Sequence, residues 1–484
     1  MNNFQIILSI LFYLYLLGTI ILLLLDNRDS TTTLAWLLVF MLFPIAGLIV
    51  YFLIGRNWRP KRKERRLKQQ QLDKNLNAML EPIVQEQNRN LLELERMYPN
   101  EAKRKIIHLL YSNSDSILTS HNQVKVFYSG KEKFDALCSD IEKARSFIHL
   151  EYYIWRNDKL TRKITRILED KVKAGVEVRI LFDAVGSLAL TSRYTRSLQK
   201  AGIQIYPYYD FRSPLTIHTL NYRNHRKIIV IDGQVGYAGG MNMAQEYIDG
   251  GKRFDTWRDA HLRIEGEAVA VLQSVFATSW LNTGKESIFQ SQYFPTPKKV
   301  EQGVPMQITT SGPDSAWESI QQLYFTLIAS AARKVYIQSP YFVPDKSIYM
   351  ALQTAALSGV DVRLMMTGLP DRRLPFWSAF TFYEKLLLAG VKIYQYKAGF
   401  LHAKTICVDE DICSVGTANM DIRSFHLNYE SNTLIYDKSI TDEIMQSFQR
   451  DLELCEEITL EYYDRLSVFE KFRNSFSRLF SPLL

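Results

Sequence analysis

The sequence predicts an α/β protein. Two tandem units with mixed sheets pack about a pseudo-twofold axis, behind an N-terminal pair of apolar helices. Three observations predict it. A strand–helix running order occurs twice, one motif recurs at the end of each copy, and the first 54 residues hold two long uncharged runs. With 484 residues there is room for several domains. The expected division is a membrane hairpin over 1–56, a basic helical linker over 57–118, and α/β units over 119–295 and 296–484.

Phe4 to Leu25 and Thr33 to Ile54 are each 22 residues without a charge. Either is long enough to cross a hydrocarbon core of about 30 Å as a helix. A cleaved signal peptide fits the first poorly, because no basic stretch precedes it and no small-x-small site follows. Only Asp26 to Thr32 separates the runs, which predicts a tight transmembrane hairpin. Pro44 falls mid-span, where a kink is tolerable if the neighbouring helix covers the freed carbonyl.

The formal charge is +8, but Arg56 to Lys68 alone holds eight Lys or Arg against Glu64. That net of +7 leaves about +1 for the other 471 residues. A nuclease needs a basic stripe along its binding surface, and none remains, so no nucleic-acid partner is expected. Positive charge after the second span keeps that end, and all the chain beyond, in the cytoplasm. The cluster is either a plain stop-transfer flank or a site for anionic lipid headgroups, and the two are compatible. Four cysteines show no C-x-x-C; Cys407 and Cys413 flank a hairpin turn and read as reduced core thiols. From Leu67 to Leu118 the chain is polar and helix-prone, linking membrane to globular part with nothing catalytic.

The two units keep one running order. Ala144-Arg-Ser-Phe-Ile-His-Leu-Glu leads to Ala174-Gly-Val-Glu-Val, then to Ala201-Gly-Ile-Gln-Ile. Ala332-Arg-Lys-Val-Tyr-Ile-Gln leads to Ser358-Gly-Val-Asp-Val, then to Ala389-Gly-Val-Lys-Ile. Each Gly closes a helix and the β-branched residues after it open a strand. A mostly parallel sheet, ended by the motif hairpin, is expected in each unit.

The motif follows. His225, Lys227, Asp232, Gly239 and Asn242 return at the same offsets as His402, Lys404, Asp409, Gly416 and Asn419. Side chains alternate along a strand, so His and Lys at i and i+2 share a face. Asp232 and Asp409, counted with the catalytic motif, fall at a turn and on the other parity, which predicts a structural role. Each copy thus offers an imidazole, a fixed cation in Lys227 or Lys404, and an amide in Asn242 or Asn419. A phosphodiester wants that set: a nucleophile or proton donor, positive charge, and hydrogen-bond donors for its oxygens. One copy supplies half a cradle, so the halves are expected to bring both His into one pocket.

Each unit carries one acid more, Asp259 in Trp257-Arg-Asp and Glu430 in Asn428-Tyr-Glu. An acid there would accept the Nδ1–H of the motif His of its half and leave Nε2 free, or would form a routine ion pair. His108, His121, His149, His261 and His426 lack matched partners and read as ordinary histidines. Tyr209 to Arg223 is an insertion absent from the second unit, placed to gate the pocket, with no role assigned to His218. In the tail, Phe469, Phe472, Phe476, Leu479, Phe480 and Leu483 share a helical face. That face either lies in a membrane interface or packs on the second unit.

These residues resemble the phospholipase D superfamily, whose mark is a duplicated H-x-K-x-x-x-x-D with a following Gly and Asn. Within it the chain resembles bacterial cardiolipin synthases, through the apolar hairpin, the basic linker, and the segments Asn-His-Arg-Lys-Ile, Gly-Gly-Met-Asn and Gly-Thr-Ala-Asn-Met-Asp. The resemblance implies an inner-membrane phosphatidyltransferase that makes cardiolipin and glycerol from two phosphatidylglycerols, with no metal or other cofactor. It also implies that the first-motif His is the nucleophile. Rival readings keep the chemistry with water or another alcohol as acceptor, or make the chain a non-enzymatic scaffold. Intact His, Lys and Asn in both copies speak against the scaffold, because packing does not require Lys.

Overall fold

The computed structural model describes residues 3–26, 30–52, 80–81, 85, 101–208, 221–298 and 300–481. The Arg56–Lys68 cluster, most of the linker, residues 209–220 with His218, and Leu483 lie outside them. The chain divides into two units, one holding the N-terminal helices and the other all the sheets.

In the N-terminal unit, helices Asn3–Leu25, Ser30–Leu42 and Pro44–Val50 follow in order. Among the described residues, only Gln5–Leu25 is long and apolar enough to cross a membrane. The second expected span is instead two shorter helices that meet at Phe43, because Pro44 has no N–H to continue the ladder. Tyr15 donates its hydroxyl to Pro44 O at 2.6 Å, which ties the first helix to the start of the third. Leu23, Phe40 and Tyr51 form a small core of their own.

The sheet-bearing unit is built twice over. The first sheet runs Asn122–Phe127, His261–Gly266, Val235–Gly239, Lys227–Ile231, Phe147–Tyr152, Glu177–Asp183, Gln204–Tyr208. The second runs Met306–Ser311, Asn428–Ile435, Ile412–Gly416, Thr405–Val408, Lys334–Gln338, Asp361–Thr367, Lys392–Tyr396, with short strands added at both edges. In each, the first five of these seven strands pair antiparallel and the last three parallel. The sheets are therefore less parallel than the sequence suggested. The motif hairpin sits mid-sheet rather than at the end, because two further strands pair beyond it.

A continuous apolar cluster joins the two sheets. Leu262, Ile264 and Trp280 of the first half lie in it with Tyr336, Val415 and Phe448 of the second. Cys407 and Cys413 face each other across the second hairpin as buried free thiols. The polar stretch before the first sheet contributes more than a link. Helix Glu101–Ser114 places Ile106, Ile107 and Leu110 in the core of the second half, and Leu118–Thr119 pairs with Met306–Gln307.

The tail forms helix Val468–Arg478 and packs on helix Arg373–Leu388 through its polar side, with Asn474 and Ser477 buried. Arg473 lies over Trp377 and Arg478 over Phe382. Phe469 and Phe472 are 73% and 68% exposed. Of the two expectations for this helix, packing of the apolar face on the domain is overturned.

Asp232 and Asp409 both stand at positive φ, 52° and 53°, at the hairpin turns. Asp232 accepts the N–H groups of Arg145, Ser146 and Phe147, and Asp409 those of Ala332, Arg333 and Lys334. Each motif carboxylate thereby ties its turn to the start of the neighbouring strand. Asp409→Ala strands three donors and strains the left-handed backbone, so a loss of about 2–4 kcal/mol is expected. Denaturation of the solubilised protein measures it, and an unchanged midpoint would remove the structural role.

Candidate active site

The two halves exchange short parallel strands just ahead of each motif. Arg223–Asn224 pairs with Asn428–Tyr429, and Phe400–Leu401 pairs with Trp257–Arg258. Backbone bonds fix the ends: His225 N–H donates to Tyr429 O at 2.9 Å, and His402 N–H to Arg258 O at 2.7 Å. The residue after each acceptor is the acid. His225 Nδ1 consequently lies 2.9 Å from Glu430 Oε2, and His402 Nδ1 lies 2.6 Å from Asp259 Oδ2. The sequence placed each acid with the His of its own half; the fold crosses them, so every imidazole leans on the opposite half. Thr417 donates its hydroxyl to Glu430, and Ala260 N–H donates to Asp259 Oδ1 at 2.7 Å. Gly240 lies so close to Asp259 that a Cβ there would stand 2.0 Å from its Oδ1.

Both imidazoles, each 8% exposed, line one cavity of about 1290 Å³ together with Asn242 and Asn419. Lys227 Nζ donates to His225 O at 2.6 Å and Lys404 Nζ to His402 O at 2.5 Å, both wholly buried behind the wall. Asn242 is partly engaged already: its Oδ1 accepts Ile154 N–H at 3.0 Å and its Nδ2 donates to the Tyr247 hydroxyl. The Asn419 Oδ1 is buried with no hydrogen-bond partner among the described residues. His108, His121, His149, His261 and His426 do not line the cavity.

The N-terminal region at residues 11–56 matches the family model described as "Phospholipase_D-nuclease N-terminal". Residues 137–280 and 324–452 match "Cardiolipin synthase, PLD-like domain". The cardiolipin synthase of Listeria monocytogenes serovar 1/2a is 41% identical over 469 residues, 95% of either chain. That of Geobacillus kaustophilus is 41% identical over 461 residues, 95% of this chain and 90% of the other. The chain belongs to the cardiolipin synthase family of phospholipase D-like proteins. A solved phosphatidylserine synthase from Haemophilus influenzae shares the fold at TM-score 0.60 and 14% identity, over 79% of this chain and all of the other.

In this family member the two crossed pairs are not electrostatically alike. Burial pushes the Glu430 carboxyl up, but His225, Lys227 and the Thr417 hydroxyl outweigh it and hold the group at about 2. Burial also governs Asp259 and raises it to about 7 against the pull of Lys404, the Ala260 N–H and Lys227. Burial, then Lys404 and Lys227, draw His402 well below its ordinary value, so the proton that this pair gains as pH falls through about 7, and the His225–Glu430 pair lacks there, sits on the Asp259 carboxyl. Burial lowers His225 to about 4 despite Glu430, so its imidazole is neutral with Nδ1–H on the carboxylate. Lys227 and Lys404, drawn down by burial to about 7 and about 8, are held up by Glu430 and Asp259.

The surroundings differ as well. Trp257, Tyr247 and Phe400 ring His402 at centroid distances of 5.6, 5.7 and 5.8 Å, whereas Tyr153 packs edge-on to His225 at 4.8 Å. Sequence reasoning missed these rings, Thr417, and the buried Arg258, which donates to Asp259 O and is anchored by Asp451. Trp257 and Arg258 adjoin the acid in sequence and could have been read with it. Asp451, near the end of helix Lys438–Leu452, carried no signal.

The crossing has a direct test. In double-mutant cycles of unfolding stability, His225→Ala and Glu430→Gln should couple by about 1–3 kcal/mol, and so should His402→Ala with Asp259→Asn. The same-half pairs His225 with Asp259 and His402 with Glu430 should add within about 0.5 kcal/mol. Stronger coupling within halves than between them would refute the crossed arrangement.

Proposed function

We propose that this protein transfers a phosphatidyl group from one phosphatidylglycerol to another, releasing glycerol and forming cardiolipin through a phosphatidyl-histidine. What carries the reading is that both motif histidines line one cavity, each bonded through Nδ1 to an acid of the opposite half. His225, neutral and oriented by ionised Glu430, attacks phosphorus through Nε2. The His402–Asp259 pair gives its proton to the departing glycerol oxygen. In the second step that pair takes the proton of the acceptor hydroxyl as the acceptor oxygen displaces His225. Lys227 and Lys404 neutralise the phosphoryl oxygens, with Asn242 and Asn419 as further donors. The same chemistry with water would make a phospholipase D, and no observation favours it over an alcohol acceptor.

Purified protein given phosphatidylglycerol alone should yield cardiolipin and glycerol in equal amounts. Phosphatidic acid in place of cardiolipin would reassign the acceptor to water. A short reaction quenched in base should leave labelled lipid phosphate on the wild type and none on His225→Ala, whose turnover falls by about 10³-fold or more. Label that persists on His225→Ala and disappears from His402→Ala would reverse the two roles.

The reading places the enzyme at a bacterial inner membrane, crossing it twice, with the sheets cytoplasmic and Arg56–Lys68 beside anionic headgroups. The exposed Phe face of the tail adds a contact in the interface. A fluorophore attached at Phe472→Cys in vesicle-reconstituted protein should be quenched by spin-labelled lipid. Quenching only by a water-soluble agent would place the helix in solvent.

A further inference from the structure

The two motif amides have different neighbours. Asn242 Oδ1 accepts the Ile154 N–H at 3.0 Å, which only a carbonyl oxygen can do, and this turns Nδ2 toward the Tyr247 hydroxyl. An amide N–H donates and cannot accept. The phenol oxygen therefore takes that hydrogen and must send its own O–H elsewhere. Among the described residues no acceptor takes it. Asp259, Glu246 and Arg156 act electrostatically on the hydroxyl without bonding it. Asp259 receives Ala260 N–H on Oδ1 and His402 on Oδ2, and Glu246 pairs with Arg156 at 3.1 Å. Tyr247 is 2% exposed and lines the cavity with Asn242 and both imidazoles. A buried donor with no protein acceptor, on the wall of a cavity, is placed to meet a ligand.

The ring itself is well held, with its centroid 4.6 Å from Trp257 and 5.7 Å from His402. Burial, then Asp259, raise the phenol well above its ordinary value, so it stays a neutral donor. The second half has no such group. Five residues beyond Asn242 stands Tyr247, but five beyond Asn419 stands Ser424. The Ser424 hydroxyl accepts Asn419 N–H at 3.2 Å, and the residue does not line the cavity. A phosphodiester between His225 and His402 is an anion with two non-bridging oxygens, and a neutral O–H bonds strongly to such an oxygen. We propose that Tyr247 is a further catalytic residue, whose hydroxyl, aimed by Asn242, donates to one non-bridging oxygen of the bound phosphodiester.

This inference rests on the phosphatidyl-transfer reading, and the test separates the two. Full-length protein in vesicles is given phosphatidylglycerol, or the same lipid with sulfur in place of one non-bridging oxygen, each diastereomer at phosphorus alone. Sulfur accepts hydrogen bonds weakly. Tyr247→Phe, which keeps the ring and removes the donor, should lower cardiolipin formation from the natural lipid by about tenfold or more. On the diastereomer whose sulfur faces the phenol the wild type is already slow, and the substitution should cost less than about twofold. The other diastereomer should show the full loss. Asn242→Ala, which keeps the phenol, should retain the wild-type preference between diastereomers at a lower rate. Equal loss on all three lipids in Tyr247→Phe would show that the hydroxyl serves the fold or the glycerol. A preference that survives Tyr247→Phe and vanishes in Asn242→Ala would give the contact to the amide. Either result overturns the role of Tyr247 and leaves phosphatidyl transfer standing. Wild type that forms no cardiolipin from the natural lipid would overturn the transfer reading and this contact with it.

Discussion

The structure depends on carboxylate–imidazole bonds made across the internal repeat. A single phospholipase D-like unit could hold its own histidine on a strand, but here that histidine's orienting acid belongs to the other unit. Glu430 reaches His225 because Asn428–Tyr429 pairs beside Arg223–Asn224, and Asp259 reaches His402 by the equivalent pairing. Neither half is chemically complete alone. A mutation that loosens the interface moves both acids off both histidines, so interface packing and reactivity are bound together. The apolar cluster shared by the two sheets holds the halves in that relation.

The two crossed pairs differ although their motifs are nearly identical. A strict twofold axis would give both imidazoles one proton affinity, whereas a two-step transfer needs one neutral and one protonated group. The repeat is broken in small ways beside the acids. Glu430 takes the Thr417 hydroxyl and lies by its histidine at about 2, while Asp259, a methylene shorter and behind aromatic rings, rises to about 7. The asymmetry lies in the neighbours of the motif rather than in its letters.

Much of this was legible in the sequence, for physical reasons that can be named. Matched offsets from His225 and His402 announced the duplication, because strand alternation and turn length leave little freedom between His, Lys, Gly and Asn. The parity of Asp232 and Asp409 assigned them to the turn. Sheet order was less legible: alternating stretches such as His261–Gly266 mark a strand without saying which edge it joins, so the hairpin's mid-sheet place did not follow. Nor did the crossing, since sequence distance favours partners in one half, and Glu430 lies 205 residues from His225. The tail's amphipathy was plain, but which side packs inward depended on Asn474 and Ser477 fitting helix Arg373–Leu388, a contact no periodicity encodes.

Three arginines of the cavity wall belong to the same lesson. Arg223, Arg372 and Arg423 sit on three separate segments, at unrelated spacings, and nothing in composition gathers them; only the closed fold brings them to one wall. Around His402 the wall is aromatic, with Arg156, Lys252 and Arg253 also on the cavity. The pocket is therefore symmetric in the motif groups that would handle phosphorus and asymmetric in the groups around them. An enzyme that must join two copies of one lipid, and treat them differently while doing so, needs that combination.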